Sequence, residues 1–224
     1  YHSKKFRTNV KGAPMSEEAT KEIIYIGDPM CSWCYGFSPT IQHLYQKHKN
    51  TVKMRLVVGG LHAGDNCIQT PERIQFLRDH WKEIGDRSGQ AFKFDILENE
   101  GWHYETERCC RAVVTVRKLK PGSEYPYFAN IQAGFYAENK DTNSDDMFAD
   151  AATEYGIDRD EFLNVMNAED TRQETAADFQ WSRSTGVNGF PTVLVKDEKG
   201  LAALTMGYQP LEALEAPLQG WIDS

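Results

Sequence analysis

Glu22-Ile23-Ile24-Tyr25-Ile26-Gly27-Asp28-Pro29-Met30-Cys31-Ser32-Trp33-Cys34-Tyr35-Gly36-Phe37 is the stretch on which the reading of this chain turns. Glu22 to Ile26 is a short β-branched run of the kind that forms a buried strand. Gly27 to Met30 turns the chain. From Tyr35 to Lys49 the apolar residues Phe37, Ile41, Leu44 and Tyr45 recur at helical spacing. The two cysteines therefore fall at a strand-to-helix junction, with Cys31 at the first turn. Unpaired backbone N–H groups and the helix dipole favour negative charge there, so the Cys31 thiol is expected to ionise more readily than a free one. Cys34 lies three residues on, on the same helical face, and can close a disulfide with Cys31.

Working outward, Val52 to Val58 alternates and then turns fully apolar before Gly59-Gly60. It completes a strand–helix–strand unit whose strands should be parallel. From Leu61 to about Ser184 the signals are helical: Pro71 to Ile84, Thr106 (as a cap) to Leu119, Tyr127 to Ala137, Ser144 to Tyr155, Asp158 to Asn167, and Glu169 to Thr185. Strands return at Thr192 to Val195 and Leu201 to Met206 around an Asp197–Gly200 turn, and Pro210 to Ile222 is a last amphipathic helix. The expected fold class is α/β. One mixed sheet is built from residues 20–62 and 185–224, and 63–184 form a helical block inserted between the two halves.

Composition narrows the function. The chain has 224 residues and a net charge of -8, from 25 Lys and Arg against 33 Asp and Glu. Phosphate binding wants clustered positive charge, so nucleic acid is an unfavourable partner. No apolar run reaches the roughly 20 residues of a membrane span. Five cysteines are too few, and odd in number, for a disulfide-stapled scaffold. Tyr1 to Thr20 contains no apolar core of a secretion signal, so a cytoplasmic protein is expected. Residues 1–14 are basic and aperiodic and read as an added or disordered tail, with Met15 the expected natural start.

Three segments resemble the DsbA-like thioredoxin-fold proteins, and more closely their cytoplasmic branch that includes FrnE-type predicted disulfide isomerases. They are Asp28 to Pro39, Cys109-Cys110-Arg111-Ala112-Val113-Val114, and Gly186-Val187-Asn188-Gly189-Phe190-Pro191-Thr192. C-x-x-C alone is weakly specific, but C-x-W-C opening a helix together with Gly-Phe-Pro-Thr before a final hairpin is strong. The resemblance implies a thioredoxin-like βαβ–ββα sheet interrupted by the helical block. It also implies that Pro39, five residues after Cys34, bends the active-site helix, and that Pro191 is a cis proline facing the disulfide. The chain departs from the family in two places. Ser32-Trp33 stands where DsbA proteins carry Pro-His, and Tyr25 stands where thioredoxin has a buried acid.

These features together suggest a thiol–disulfide oxidoreductase or isomerase. Cys31 attacks a substrate disulfide and Cys34, the more buried sulfur with the higher pKa, resolves the mixed disulfide. The backbone at Gly189, Phe190 and Pro191 lets an extended substrate segment pair beside Cys31, with Ser32 and Trp33 on the rim. The expected substrates are protein or small-molecule thiols and disulfides, with glutathione or a thioredoxin system as redox partner. No cofactor is expected. Zinc wants four ligands, and Cys67, Cys109 and Cys110 form no second C-x-x-C, which speaks against a metal. Cys109 and Cys110 read as core residues, His62 as incidental, Asp28 as a turn residue, and Trp81, Trp102 and Trp181 as core. Two other functions remain open: a glutathione-linked transferase or isomerase of the kappa-class type, which lacks the C-x-x-C pair, and a non-catalytic binding or chaperone module.

Overall fold

Every residue of β1, Glu22–Gly27, is buried, which accounts for the apolar run from Ile23 to Ile26. The computed structural model describes residues 21–64 and 69–224. The expectations for the tail 1–14, for Met15 and for Cys67 lie outside the described residues. Helix α1, Ser32–His48, carries the chain from β1 to the parallel strand β2, Lys53–Val58. Six helices follow among the described residues: α2 (Pro71–Ser88), α3 (Glu107–Leu119), α4 (Glu124–Glu138), α5 (Asp145–Thr153), α6 (Arg159–Met166) and α7 (Glu169–Ser184). A short 3-10 turn at Asp95–Glu98 separates α2 from α3. The chain then returns to the sheet as β3, Thr192–Asp197, and β4, Gly200–Met206, and ends in α8, Leu211–Asp223.

The sheet order is β2-β1-β3-β4. β1 pairs parallel with β2 and antiparallel with β3, and β4 pairs antiparallel with β3. Because β1 and β3 run in opposite directions, the C-terminal end of one meets the N-terminal end of the other, with Ile26 opposite Thr192. That single juxtaposition brings the cysteine turn beside Pro191. Side chains of β1 alternate between two packed layers. Ile23 and Tyr25 join the large core with Phe37, Trp81, Phe128 and Phe135, while Ile24 and Ile26 meet Val57, Val187 and Leu194 on the other face.

Local chemistry accounts for several helix ends. Thr70 caps α2 by accepting from the Arg73 N–H, Pro71 occupies the first turn, and Gly89 ends the helix in the left-handed region at φ 74°. Asp158 caps α6 through the N–H groups of Asp160 and Glu161. Two expectations need correction. Helix α4 begins at Glu124 and so precedes the expected Tyr127, because Pro126 is tolerated in a first turn where its missing N–H has no partner to lose. Thr106 precedes α3 but makes no capping bond. The Glu105 carboxylate accepts from the Glu107 and Arg108 N–H groups instead, and the Thr106 hydroxyl accepts from the His62 N–H. Trp81 and Trp102 are core as expected. Trp181 is half-buried, with the Arg55 guanidinium 4.4 Å from its ring centre.

Candidate active site

The turn after β1 is fastened through both its backbone and its one carboxylate. The Asp28 carbonyl accepts from the Cys31 N–H at 3.0 Å. The Asp28 carboxylate is fully buried and accepts from the Met30 N–H at 2.9 Å, the Leu61 N–H at 2.7 Å and the Cys110 thiol at 3.4 Å. Asp28 is thus a turn residue, as read, but one that also ties the turn to the loop after β2 and to α3. Cys110 is core, as read, and donates to that carboxylate as well. On the other side, the Met30 carbonyl accepts from the hydroxyls of Tyr104 and Tyr136, each at 2.5 Å. Tyr136 also stacks on Tyr35 of α1, with ring centres 4.9 Å apart. His62 packs against Tyr104 at 4.9 Å.

Burial sets the electrostatics. It is the largest influence on the Asp28 carboxyl and pushes it above the ordinary carboxylate range, against the lowering effect of the donors from Leu61, Met30, Thr106 and Cys110. An acid held above its unfolded value binds its proton more tightly in the folded state. The resulting stability is present below about pH 3.9 and lost as pH rises toward the raised value. Asp28→Asn should abolish this component. The difference in urea unfolding free energy between parent and variant should decline across that window, and a pH-independent difference would contradict the assignment.

Cys31 caps α1 with an extended backbone, φ -80° and ψ 117°, and its sulfur lies 3.7 Å from the Phe190 carbonyl oxygen. Cys34, one turn further, is 0 % exposed against 6 % for Cys31, and both thiols are free. Burial, then its hydrogen bond and proximity to Cys31, hold the Cys34 thiol well above the ordinary range. The Phe190–Pro191 peptide is cis. The Thr192 hydroxyl bonds the Gly189 carbonyl at 2.9 Å, and the Gly207 N–H bonds the Pro191 carbonyl at 2.7 Å. Cys31, Cys34, Ser32, Trp33, Gly189, Phe190 and Pro191 are thus gathered by the β1–α1 and β3 junctions.

Gly59 explains how Phe190 is seated. A Cβ at Gly59 would stand 2.2 Å from Phe190 Cζ, so the ring fits only because residue 59 lacks a side chain. Gly59→Ala should displace the ring and the carbonyl behind it. We expect a loss of about 1–3 kcal/mol in denaturant unfolding, as for other overpacked sites, and roughly a tenfold fall in turnover from the misplaced loop. Unchanged turnover would show that Phe190 is not held there for activity.

A cavity of about 230 Å³ opens beside the cysteines, lined by Trp33, Arg87, Phe190, Gly207 and Tyr208. The Arg87 guanidinium sits 4.9 Å from the Trp33 ring centre, and Tyr208 lies 5.5 Å from Trp33. Trp33 meets His80 edge-on, and His80 stacks on the exposed Phe76. Sequence reasoning found the Trp33 rim but missed Arg87, His80 and Tyr208. These lie in the second half of α2 and just after β4, and only the tertiary fold brings them to the site. Tyr104 and Tyr136 carried no local signal at all.

Residues 22–219 match the DsbA-like thioredoxin domain family. The chain belongs to that family. DsbA-like proteins are thiol–disulfide oxidoreductases, and the four-stranded mixed sheet with eight helices among the described residues is their fold. A candidate protein disulfide isomerase from Nitrosomonas europaea is 33% identical, with a TM-score of 0.84, over 91% of this chain and 98% of that one. The cytosolic disulfide reductase DsbM from Pseudomonas aeruginosa shares the fold at a TM-score of 0.74 and 22% identity, over 90% of this chain and 98% of that one. The ClpXP adapter protein SpxH of Halalkalibacterium halodurans is 22% identical over 189 residues, 80% of this chain. The chain spans 61% of that adapter's length.

Proposed function

We propose that this DsbA-like protein exchanges disulfides with thiol substrates through Cys31 and Cys34. The observation that carries the reading is the placement of the Cys31 sulfur against the carbonyl of Phe190, a residue that lines the neighbouring cavity, with Cys34 fully buried one turn further on. In the reductive direction the Cys31 thiolate attacks a substrate disulfide. One substrate sulfur leaves as thiolate and takes up a proton, and the other stays bonded to Cys31. Cys34 then attacks the Cys31 sulfur, the second substrate thiol is released, and the protein is left as the Cys31–Cys34 disulfide. Two electrons pass from protein to substrate.

Substrate backbone pairs with the Gly189–Phe190 segment as an added strand, while Ser32 and Trp33 border the approach. DsbM, whose fold this chain shares, has been crystallised with glutathione, and we propose glutathione or a thioredoxin system as the source of electrons here. No described helix is long and apolar enough to cross a membrane. A cytoplasmic location, with reduction or isomerisation as the working direction, suits a dithiol kept reduced by a glutathione pool. The test is a redox titration of the cysteine pair in glutathione buffers, run beside insulin reduction. A reversible two-electron couple with turnover supports the reading. A pair that never oxidises in those buffers, or oxidises without turnover, defeats it.

A further inference from the structure

Tyr25 lies on the central strand β1 and is fully buried. Its ring is fixed by Phe37 at 6.1 Å, Tyr125 at 6.5 Å and Phe128 at 5.7 Å. The hydroxyl reaches over Gly27, where a Cβ would come within 2.5 Å of the oxygen. It has no hydrogen-bond partner of ordinary geometry, yet it stands against the Cys34 sulfur. Burying a hydroxyl without a partner is costly, and a phenylalanine would fill the same packing site without that cost. The oxygen therefore needs an explanation, and the group it faces is the resolving thiol.

We propose that the Tyr25 hydroxyl serves the resolving half-reaction, donating a hydrogen bond to the Cys34 sulfur as it becomes anionic and attacks the mixed disulfide. The inference rests on the disulfide-exchange reading above. The ionisable groups facing Cys34 are Cys31 and Tyr25, and those facing Tyr25 are Cys34, Cys31 and Tyr125. Burial, above all, holds the Tyr25 phenol well above its ordinary value, so it stays protonated and can give a hydrogen bond but cannot take a proton. Hence the Cys34 proton does not pass to Tyr25. It leaves with the substrate sulfur, which departs as thiolate and is released as thiol. The electron pair of Cys34 forms the new bond to Cys31, and the bond between Cys31 and substrate breaks.

The experiment is Tyr25→Phe, alone and in a Cys31→Ser background. With Cys31 replaced, ultraviolet thiolate absorbance reports Cys34 directly, and removal of the hydroxyl should move its ionisation to higher pH. In the single variant, release of the second substrate thiol from the mixed disulfide should slow about tenfold while attack by Cys31 is unchanged. A merely structural hydroxyl predicts the opposite pattern: unchanged or greater stability on its removal, with no movement of ionisation or rate. Identical Cys34 titrations with and without the Tyr25→Phe change overturn the inference. That titration needs no turnover, so it decides the role of the hydroxyl separately from whether the parent protein reduces insulin.

Discussion

Cys31→Ser should leave insulin reduction undetectable, a fall of at least about 10³-fold, because a serine hydroxyl cannot form or leave a mixed disulfide. The substitution is nearly isosteric at a buried position that caps α1, so the fold should survive and the loss is chemical. Cys34→Ser separates the two halves of the reaction. The Cys31 sulfur beside the Phe190 carbonyl is left in place, and a mixed disulfide should form and persist. Intact-mass measurement after incubation with a small disulfide reports it as a stable adduct at one site. If Cys31→Ser keeps more than a few per cent of parental turnover, the reaction does not run through this pair. If Cys34→Ser reduces insulin as fast as the parent, Cys34 is not the resolving group.

The paired change Tyr104→Phe with Tyr136→Phe should be the most damaging substitution outside the cysteines. Each hydroxyl gives the Met30 carbonyl a hydrogen bond at 2.5 Å, and all three residues are buried. Loss of one donor leaves the other in place, so each single variant should cost about 0.5–1.5 kcal/mol. Loss of both strands a buried carbonyl one residue before Cys31, adding roughly 1–3 kcal/mol beyond the sum of the singles. Tyr136 keeps its stacking on Tyr35 through the unchanged ring, which isolates the hydrogen bonds from the packing. Turnover should fall about 10- to 100-fold in the double variant, since a displaced Met30 moves Cys31. A double-mutant cycle in urea, with turnover measured alongside, tests this. Strictly additive stability effects with undiminished turnover would reject the idea that the two phenols hold Cys31 in place.

What could be read from sequence was whatever is written in local pattern. The β-branched run of β1, the α1 periodicity, the β3–β4 hairpin and the C-terminal helix all follow from spacing and turn residues within a few positions. Phe190-Pro191 and the C-x-W-C pair were legible because short motifs carry them. The failures are equally instructive. Thr106 has the chemistry of a cap, but a distant backbone N–H, that of His62, competes for its hydroxyl and an adjacent glutamate takes the capping role. Asp28 reads as an ordinary turn residue because nothing near it in sequence discloses that Cys110 and Leu61 converge on its carboxylate. Arg87 looks like one more charge at the end of α2, and only the packing of that helix against Trp33 and Tyr208 gives it a place at the cavity. In each case the deciding partner is far away along the chain, where periodicity has no reach.

The pairing of β1 with β3 has a bearing on how the protein is made. The sulfur of Cys31 and the carbonyl it meets are 159 positions apart, so on the ribosome both thiols emerge and wait while the rest of the polypeptide is translated. Until β3 docks, the nascent pair has no neighbouring loop to select what it reacts with, and long-range closure of this kind is slow to form. Chains halted before Thr192 would therefore carry reactive sulfur without discrimination.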